Sequence, residues 1–240
     1  MKRIGHKGAA LIEAGNTIAS FEAARVCQVD MIEFDVIRWE GKLVCAHDPT
    51  DAQARSDTLL TLDEGLDYLA REDFAKIDLD VDLKHQGYEL ELLDALEQRG
   101  LTKRTMITTM HAPSLVLIRA HDPTVKLGLT IPKVNRDWLN VSRPVKVAVA
   151  GGVVGHRLFQ PGRVSALLRS GAIDAVMAFH AVVTPRLVTA VHDAGGELYS
   201  WTVDDPLTMT RLVNLGVDGI VSNDPRLFEH ALAEPAPAPI

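Results

Sequence analysis

The sequence predicts an α/β fold of one domain, a (β/α)8 TIM barrel with a small hairpin inserted after the second strand. Two observations carry that expectation. Eight short β-branched or apolar runs alternate with longer amphipathic stretches, the pattern of parallel βαβ units wound right-handedly. The chain is 240 residues long, close to the ~250 of a closed barrel. A doubly wound open sheet is the competing topology, because periodicity does not distinguish closed from open; eight strands in this length favour closure.

In chain order the expected strands are Arg3–His6, Met31–Ile37, Ile77–Lys84, Thr105–Thr109, Lys126–Ile131, Ala175–His180, Glu197–Val203 and Gly219–Ser222. Helical patterns fall at Thr17–Val26, Leu90–Arg99, Ser114–His121, Arg163–Ser170, Pro185–Ala194 and Pro206–Leu215. Trp39–Val44, interrupted by Glu40-Gly41, reads as the hairpin. Val147–Val154 fits either a strand or a buried helical turn, and residues 140–162 stay without assignment. Asn16-Thr17 reads as a helix cap, and His121-Asp122-Pro123 as a helix exit. The domain is expected over residues 1–233. The alternating Pro and Ala of 234–240 cannot bury apolar surface and are expected to be disordered.

Composition narrows the function. Apolar residues at 47% and charged residues at 24% are ordinary for a globular protein. Cys27 and Cys45 form no spaced motif and read as free thiols in a reducing compartment. With no apolar leader and no 18-residue apolar run, a cytoplasmic location without stable membrane association is expected. A net charge of −7 argues against nucleic acid as partner, and it requires any anionic substrate to meet positive charge supplied locally.

The chemistry concentrates on two strands. In Met31–Ile37, alternation puts Glu33 and Asp35 on one face and Ile32, Phe34 and Val36 on the other. Inward carboxylates on a barrel strand cost several kcal/mol each if left unpaired. A bound cation removes that cost, and salt bridges to Lys or Arg are the alternative. In Ile77–Lys84, three aspartates and a lysine share one face. Barrel sites lie at the carboxyl ends of strands, which selects Asp82 and Lys84 over Asp78 and Asp80. Glu33, Asp35 and Asp82 would then form an all-oxygen site for one divalent cation, Mg2+ or Ca2+.

His6 ends the first strand, and His47 follows the short apolar run Leu43–Ala46. Both are expected at the rim where Glu33 and Asp35 point, and two imidazoles can divide acid and base work near neutral pH. His180, at the end of the sixth strand, is a candidate for substrate contact. Gly151–Gly155 could cradle a phosphate, although a loop turn is the simpler reading. The chain carries no P-loop string, G-x-S-x-G elbow or metal-spaced Cys/His cluster.

Taken in order, GHKG, NTIASFEAA, DMIEFDV, GKLVCAHD, DLK, GGELYSWTVDDP and LGVDGIVSNDP resemble the glycerophosphodiester phosphodiesterase family. The resemblance implies a TIM barrel that hydrolyses small glycerophosphodiesters to glycerol 3-phosphate and an alcohol. It implies His6 and His47 as the acid/base pair and Glu33, Asp35 and Asp82 as metal ligands. Lys7 and Lys84 would face the phosphate, Trp201 would line the pocket, and the substrate's own hydroxyl would attack first. The chain departs from the family pattern at Lys7 (usually Arg), at Ala14-Gly15 (usually Pro-Glu) and at Asp82 (usually Glu). Asp82 with Lys84 also resembles the related phospholipase D toxins. That leaves two alternatives, a lyase acting on lyso- or sphingo-phospholipids and a barrel that binds a phosphate ligand without catalysis. A phosphate-handling aldolase or isomerase barrel is a third.

Overall fold

The computed structural model describes residues 1–133 and 160–229. Nine strands occur among them: β1 (Lys2–Gly5), β2 (Met31–Trp39), β3 (Lys42–Cys45), β4 (Asp78–Leu83), β5 (Thr105–Thr109), β6 (Lys126–Ile131), β7 (Ala175–Phe179), β8 (Glu197–Trp201) and β9 (Gly219–Ser222). Eight run parallel in the order β1-β9-β8-β7-β6-β5-β4-β2, and a further pairing of β1 with β2 closes the ring. Closure answers the open-sheet alternative. The expected Gly151–Gly155 cradle, the Val147–Val154 element and the 234–240 tail lie outside the described residues.

Helices α1 (Ile18–Val26), α2 (Pro49–Ala54), α3 (Leu62–Leu69), α4 (Glu89–Glu97), α5 (Ala112–His121), α6 (160–169), α7 (Pro185–His192) and α8 (Pro206–Leu215) follow the strands. Several start on side-chain caps that take up otherwise orphaned N–H groups: Thr17 and Thr61 in capping boxes with Ser20 and Glu64, Thr184 on α7, and Asp205 on α8. The cap of α1 is therefore Thr17 alone; the side chain of Asn16 is used elsewhere. Helices α2 and α3 escaped the periodicity reading; α2 is short and polar.

The strand residues sort into two layers. Ile32, Phe34, Val36, Leu79, Val81 and Leu83 join the core between barrel and helices, where the Phe21 and Phe34 rings lie 5.5 Å apart and tie α1 to β2. Ile4, Met31, Met106, Met177, Tyr199 and Val221 fill the barrel interior. A Cβ on Gly219 would lie 2.6 Å from the Tyr199 ring, so glycine makes room for that ring. Beneath them, at the amino ends of the strands, Lys2 meets Asp78 at 2.6 Å and Lys126 meets Glu197.

The hairpin is an extension of β2. Val36–Trp39 pair antiparallel with Lys42–Cys45, and from Ile37 onward β2 runs beyond its pairing with β4. Glu40 and Gly41 both take positive φ, 46° and 79°, as a two-residue primed turn requires. Among the described residues, no helix is long and apolar enough to cross a membrane.

Candidate active site

Register sets the site. Asp35 on β2 lies opposite Asp82 on β4, and Glu33 opposite Asp80. All four share the inward face, with Asp35 and Asp82 nearer the carboxyl end. Oxygens of Glu33, Asp35 and Asp82 lie within 4.8 Å of one another. Glu33 and Asp35 are buried, and Asp82 is half-buried.

The cations are arranged around them. Lys84 Nζ stands 2.6 Å from both Asp35 Oδ1 and Asp82 Oδ2, and Lys7 Nζ lies 3.6 Å from Asp35 Oδ2. Burial pushes the Asp35 carboxyl up, but Lys84, Lys7, His47 and His6 together bring it well below the usual carboxylate range. Both histidines thus lie in the field of one carboxylate. Glu33 goes the other way: burial, then repulsion from Asp35, raises it well above the ordinary value. Burial pulls Lys84 down, but Asp35, Asp82 and Glu33 together raise it well above its ordinary value, so it stays protonated.

Asn16 holds Asp35 by two bonds. Its Nδ2 donates to Asp35 Oδ2 at 2.9 Å, and its Oδ1 accepts the Asp35 N–H at 3.1 Å. Lys7 occupies the left-handed region at φ 51°, a costly conformation for a residue with a side chain. Three bonds fix it there. Its N–H donates to Glu33 Oε2 at 2.8 Å, while its carbonyl accepts Ser20 Oγ at 2.8 Å and the Asn16 N–H at 3.0 Å.

His6 is oriented from the far end of the chain. Its Nδ1 lies 2.6 Å from Asn223 Oδ1, while Asn223 Nδ2 donates to Asp204 Oδ2 at 2.6 Å. Asp204 accepts only, so the amide NH2 must face it and Oδ1 must face His6. This network assigns the proton to Nδ1 and leaves Nε2 as the basic nitrogen. Nε2 is 3.8 Å from Glu33 Oε2. Burial, reinforced by Lys7, lowers the His6 pKa to about 4 against the pull of Asp35, so the ring is neutral at pH 7. His47 is half-exposed, with Nδ1 2.9 Å from Asp48 Oδ2 and its N–H donating to Asp51 Oδ2 at 3.0 Å.

Lys7 and Lys84 thus join the carboxylates, and Trp201 and His180 are placed differently. Trp201 closes β8, its Nε1 bonded to the Met177 carbonyl at 3.0 Å and its ring 5.4 Å from Phe179. The His180 ring lies tilted against Phe179, 4.3 Å between centroids, and beside Arg211 and Asp205. No described contact brings His180 to the carboxylates. Sequence reasoning overlooked the roles of Asn16, Asp204, Asn223 and Asp80. The last is buried, accepts Thr108 Oγ1 at 2.7 Å, and is raised by burial to about 8.

The donor set can be tested against a cation. All three carboxylates offer hard oxygens that converge within 4.8 Å of one another, and Lys84 Nζ stands 2.6 Å from oxygens of both Asp35 and Asp82. An all-oxygen carboxylate set of this kind fits Mg2+ or Ca2+.

The glycerophosphoryl diester phosphodiesterase family model matches residues 61–227. A glycerophosphodiester phosphodiesterase of Caldanaerobacter subterraneus subsp. tengcongensis is 25% identical over 258 residues, spanning 92% of this chain and 93% of that protein. The fold is shared with a glycerophosphodiester phosphodiesterase from Parabacteroides distasonis (TM-score 0.73, 19% identity, 97% of each chain covered). It is also shared with an Oleispira antarctica phosphodiesterase solved with its product sn-glycerol-3-phosphate (TM-score 0.72, 18% identity, 98% of this chain and 97% of that one). The matched span begins beyond His6, Glu33, Asp35 and His47. The chain belongs to the glycerophosphoryl diester phosphodiesterase family and is a phosphoric diester hydrolase.

Proposed function

We propose that the chain hydrolyses a small glycerophosphodiester with His6 as general base, His47 as general acid, and a divalent cation on Glu33, Asp35 and Asp82. The observation that supports it best is the Asn223–Asp204 clamp, which presents His6 neutral, with Nε2 unprotonated, beside those carboxylates. When bound, Mg2+ or Ca2+ supplies charge stabilisation to the non-bridging phosphate oxygens.

The protein's own groups do the rest. Without a cation, each ionised carboxylate would repel a phosphodiester by about 1–4 kcal/mol at ~4 Å, and Lys7 and Lys84 offset part of that. His6 Nε2 takes the proton of the attacking hydroxyl. His47, whose Nδ1 is occupied by Asp48, has Nε2 to return a proton to the departing alkoxide. Each transfer is worth roughly 10²–10⁴-fold. Trp201 and Phe179 form an apolar step at the ends of β8 and β7 against which the non-reacting part of the substrate can lie. His180 remains a candidate for contact further out on that side.

The test is turnover of glycerophosphocholine with and without chelator, with Mg2+, Ca2+ and Mn2+ added back, on the parent protein, His6→Ala and His47→Ala. Activity should disappear with chelator, return with an ion, and be absent from both variants while their circular dichroism is unchanged. Full activity in chelator, or in either variant, overturns the roles assigned.

A further inference from the structure

The two histidines stand on separate loops, His6 on the one that follows β1 and His47 on the one that follows β3. Something must hold those loops in register. Arg55, immediately after α2, touches both. Its Nε and Nη2 fork onto Asp51 Oδ1 and Oδ2 at 2.8 and 2.7 Å. Nη2 also donates to the Cys45 carbonyl at 3.0 Å, and Nη1 reaches the Gly15 carbonyl at 3.4 Å. The Arg55 side chain is 18% exposed.

Each partner leads to a functional group. Asp51 Oδ2 also accepts the His47 N–H at 3.0 Å, so one carboxylate oxygen is shared between the arginine and the His47 backbone. Cys45 ends the strand that delivers His47. Gly15 precedes Asn16, whose amide grips Asp35. A planar fork with donors on three nitrogens grips the carboxylate at two points and reaches both carbonyls; a lysine ammonium, with its donors on one nitrogen, lacks that bidentate grip.

We infer that Arg55 is a positioning residue that straps the His47 loop to the Asn16 loop through Asp51, Cys45 and Gly15, fixing His47 against the carboxylate site. The inference rests on the proposed role of His47. It acts at a distance, so its signature is a fall in turnover without loss of substrate binding. A misplacement of about 1 Å at a catalytic group costs on the order of 10²-fold.

The experiment compares Arg55→Met and Arg55→Lys with Arg99→Met, all assayed on glycerophosphocholine with saturating Mg2+. Arg99 is a matched control: it is 16% exposed and joins Asp63 and Asp67 at 2.9 and 2.6 Å on α3, on the flank of the barrel. Arg55→Met should lose roughly 10²-fold in kcat with KM within threefold, and Arg55→Lys should recover less than tenfold of that. The His47 ring resonances in a 1H–13C spectrum should move in both variants. Arg99→Met should lower Tm and leave kcat and the His47 resonances unchanged.

A kcat within threefold of the parent in Arg55→Met, or equal kcat losses in Arg55→Met and Arg99→Met, overturns the strap. If Arg55→Met does not fold, the Arg55→Lys comparison decides on the same criteria. Failure of the underlying reading looks different, since His47→Ala would then keep its activity.

Discussion

Asp80 offers the sharpest quantitative test of the barrel interior. It is fully buried one step below the carboxylate site, with Oδ1 bonded to Thr108 and Oδ2 without a donor. Burial, helped by Asp82, raises its pKa to about 8, against an unfolded value near ~3.9. The folded protein therefore holds one proton that the unfolded chain releases above pH ~4. Stability from this group is full below the unfolded pKa and is lost as pH rises through the folded one, at 2.303RT, or ~1.4 kcal/mol, per pH unit. At pH 7 the accumulated cost is roughly 4 kcal/mol, three units of that slope.

Asp80→Asn removes the titration while keeping an oxygen for Thr108. Its NH2 takes the place of the unbonded Oδ2, at a cost of about 1–3 kcal/mol if it finds no acceptor. The net gain at pH 7 is then about 1–3 kcal/mol, or roughly 2–4 °C in Tm per kcal/mol for a domain of this size. Urea melts in chelator from pH 5.5 to 7.5 measure it, chelator being needed because a cation above Asp80 would favour its ionised form. Parent stability should fall relative to Asp80→Asn by ~1.4 kcal/mol per pH unit. Parallel stability–pH lines for the two proteins would refute the assignment of a buried proton to Asp80.

Two further outcomes follow from the hydrogen bonds of the site. Asn223→Leu frees the His6 ring to take either tautomer, so kcat should fall on the order of 10²-fold with KM little changed, checked by steady-state kinetics and by 15N shifts of the His6 ring. Asn16→Ala removes both bonds that orient Asp35 and should weaken Mg2+ or Ca2+ binding by about 10–100-fold, read by calorimetry.

Much of this was legible because strands report their two faces directly. The alternation in Met31–Ile37 tells which carboxylates turn inward, and the rule that barrel sites lie at strand carboxyl ends separates Asp82 from Asp78, which pairs with Lys2 at the opposite end. Other parts were hidden for physical reasons. His6 and Asn223 are 217 positions apart and meet only because β1 pairs with β9, a contact that no local pattern encodes. Asn16 beside Thr17 looks like a cap, since both residue types serve that purpose. Only the left-handed backbone at Asn16, φ 59°, turns its amide inward. The buried proton on Asp80 depends on its surroundings: Asp78 and Asp80 are the same residue type on the same face of β4, one paired with a lysine and one not.

The hairpin gives the two imidazoles different mechanical footings. His6 leaves a strand bonded on both flanks and so shares the stiffness of a closed ring. His47 leaves a short ribbon that lies outside the ring, paired with β2 on one flank and held on the other by the Val44–Thr61 bridge and by the Cys45 N–H to the Leu60 carbonyl at 2.8 Å. Because a ribbon counts in twos, deleting one residue from Lys42–Cys45 would turn the succeeding side chains to the opposite surface. Length added at the Glu40-Gly41 tip, beyond the paired residues, would pass unnoticed by the active centre. Tolerance to insertion should therefore change abruptly within a few residues along this one short arm.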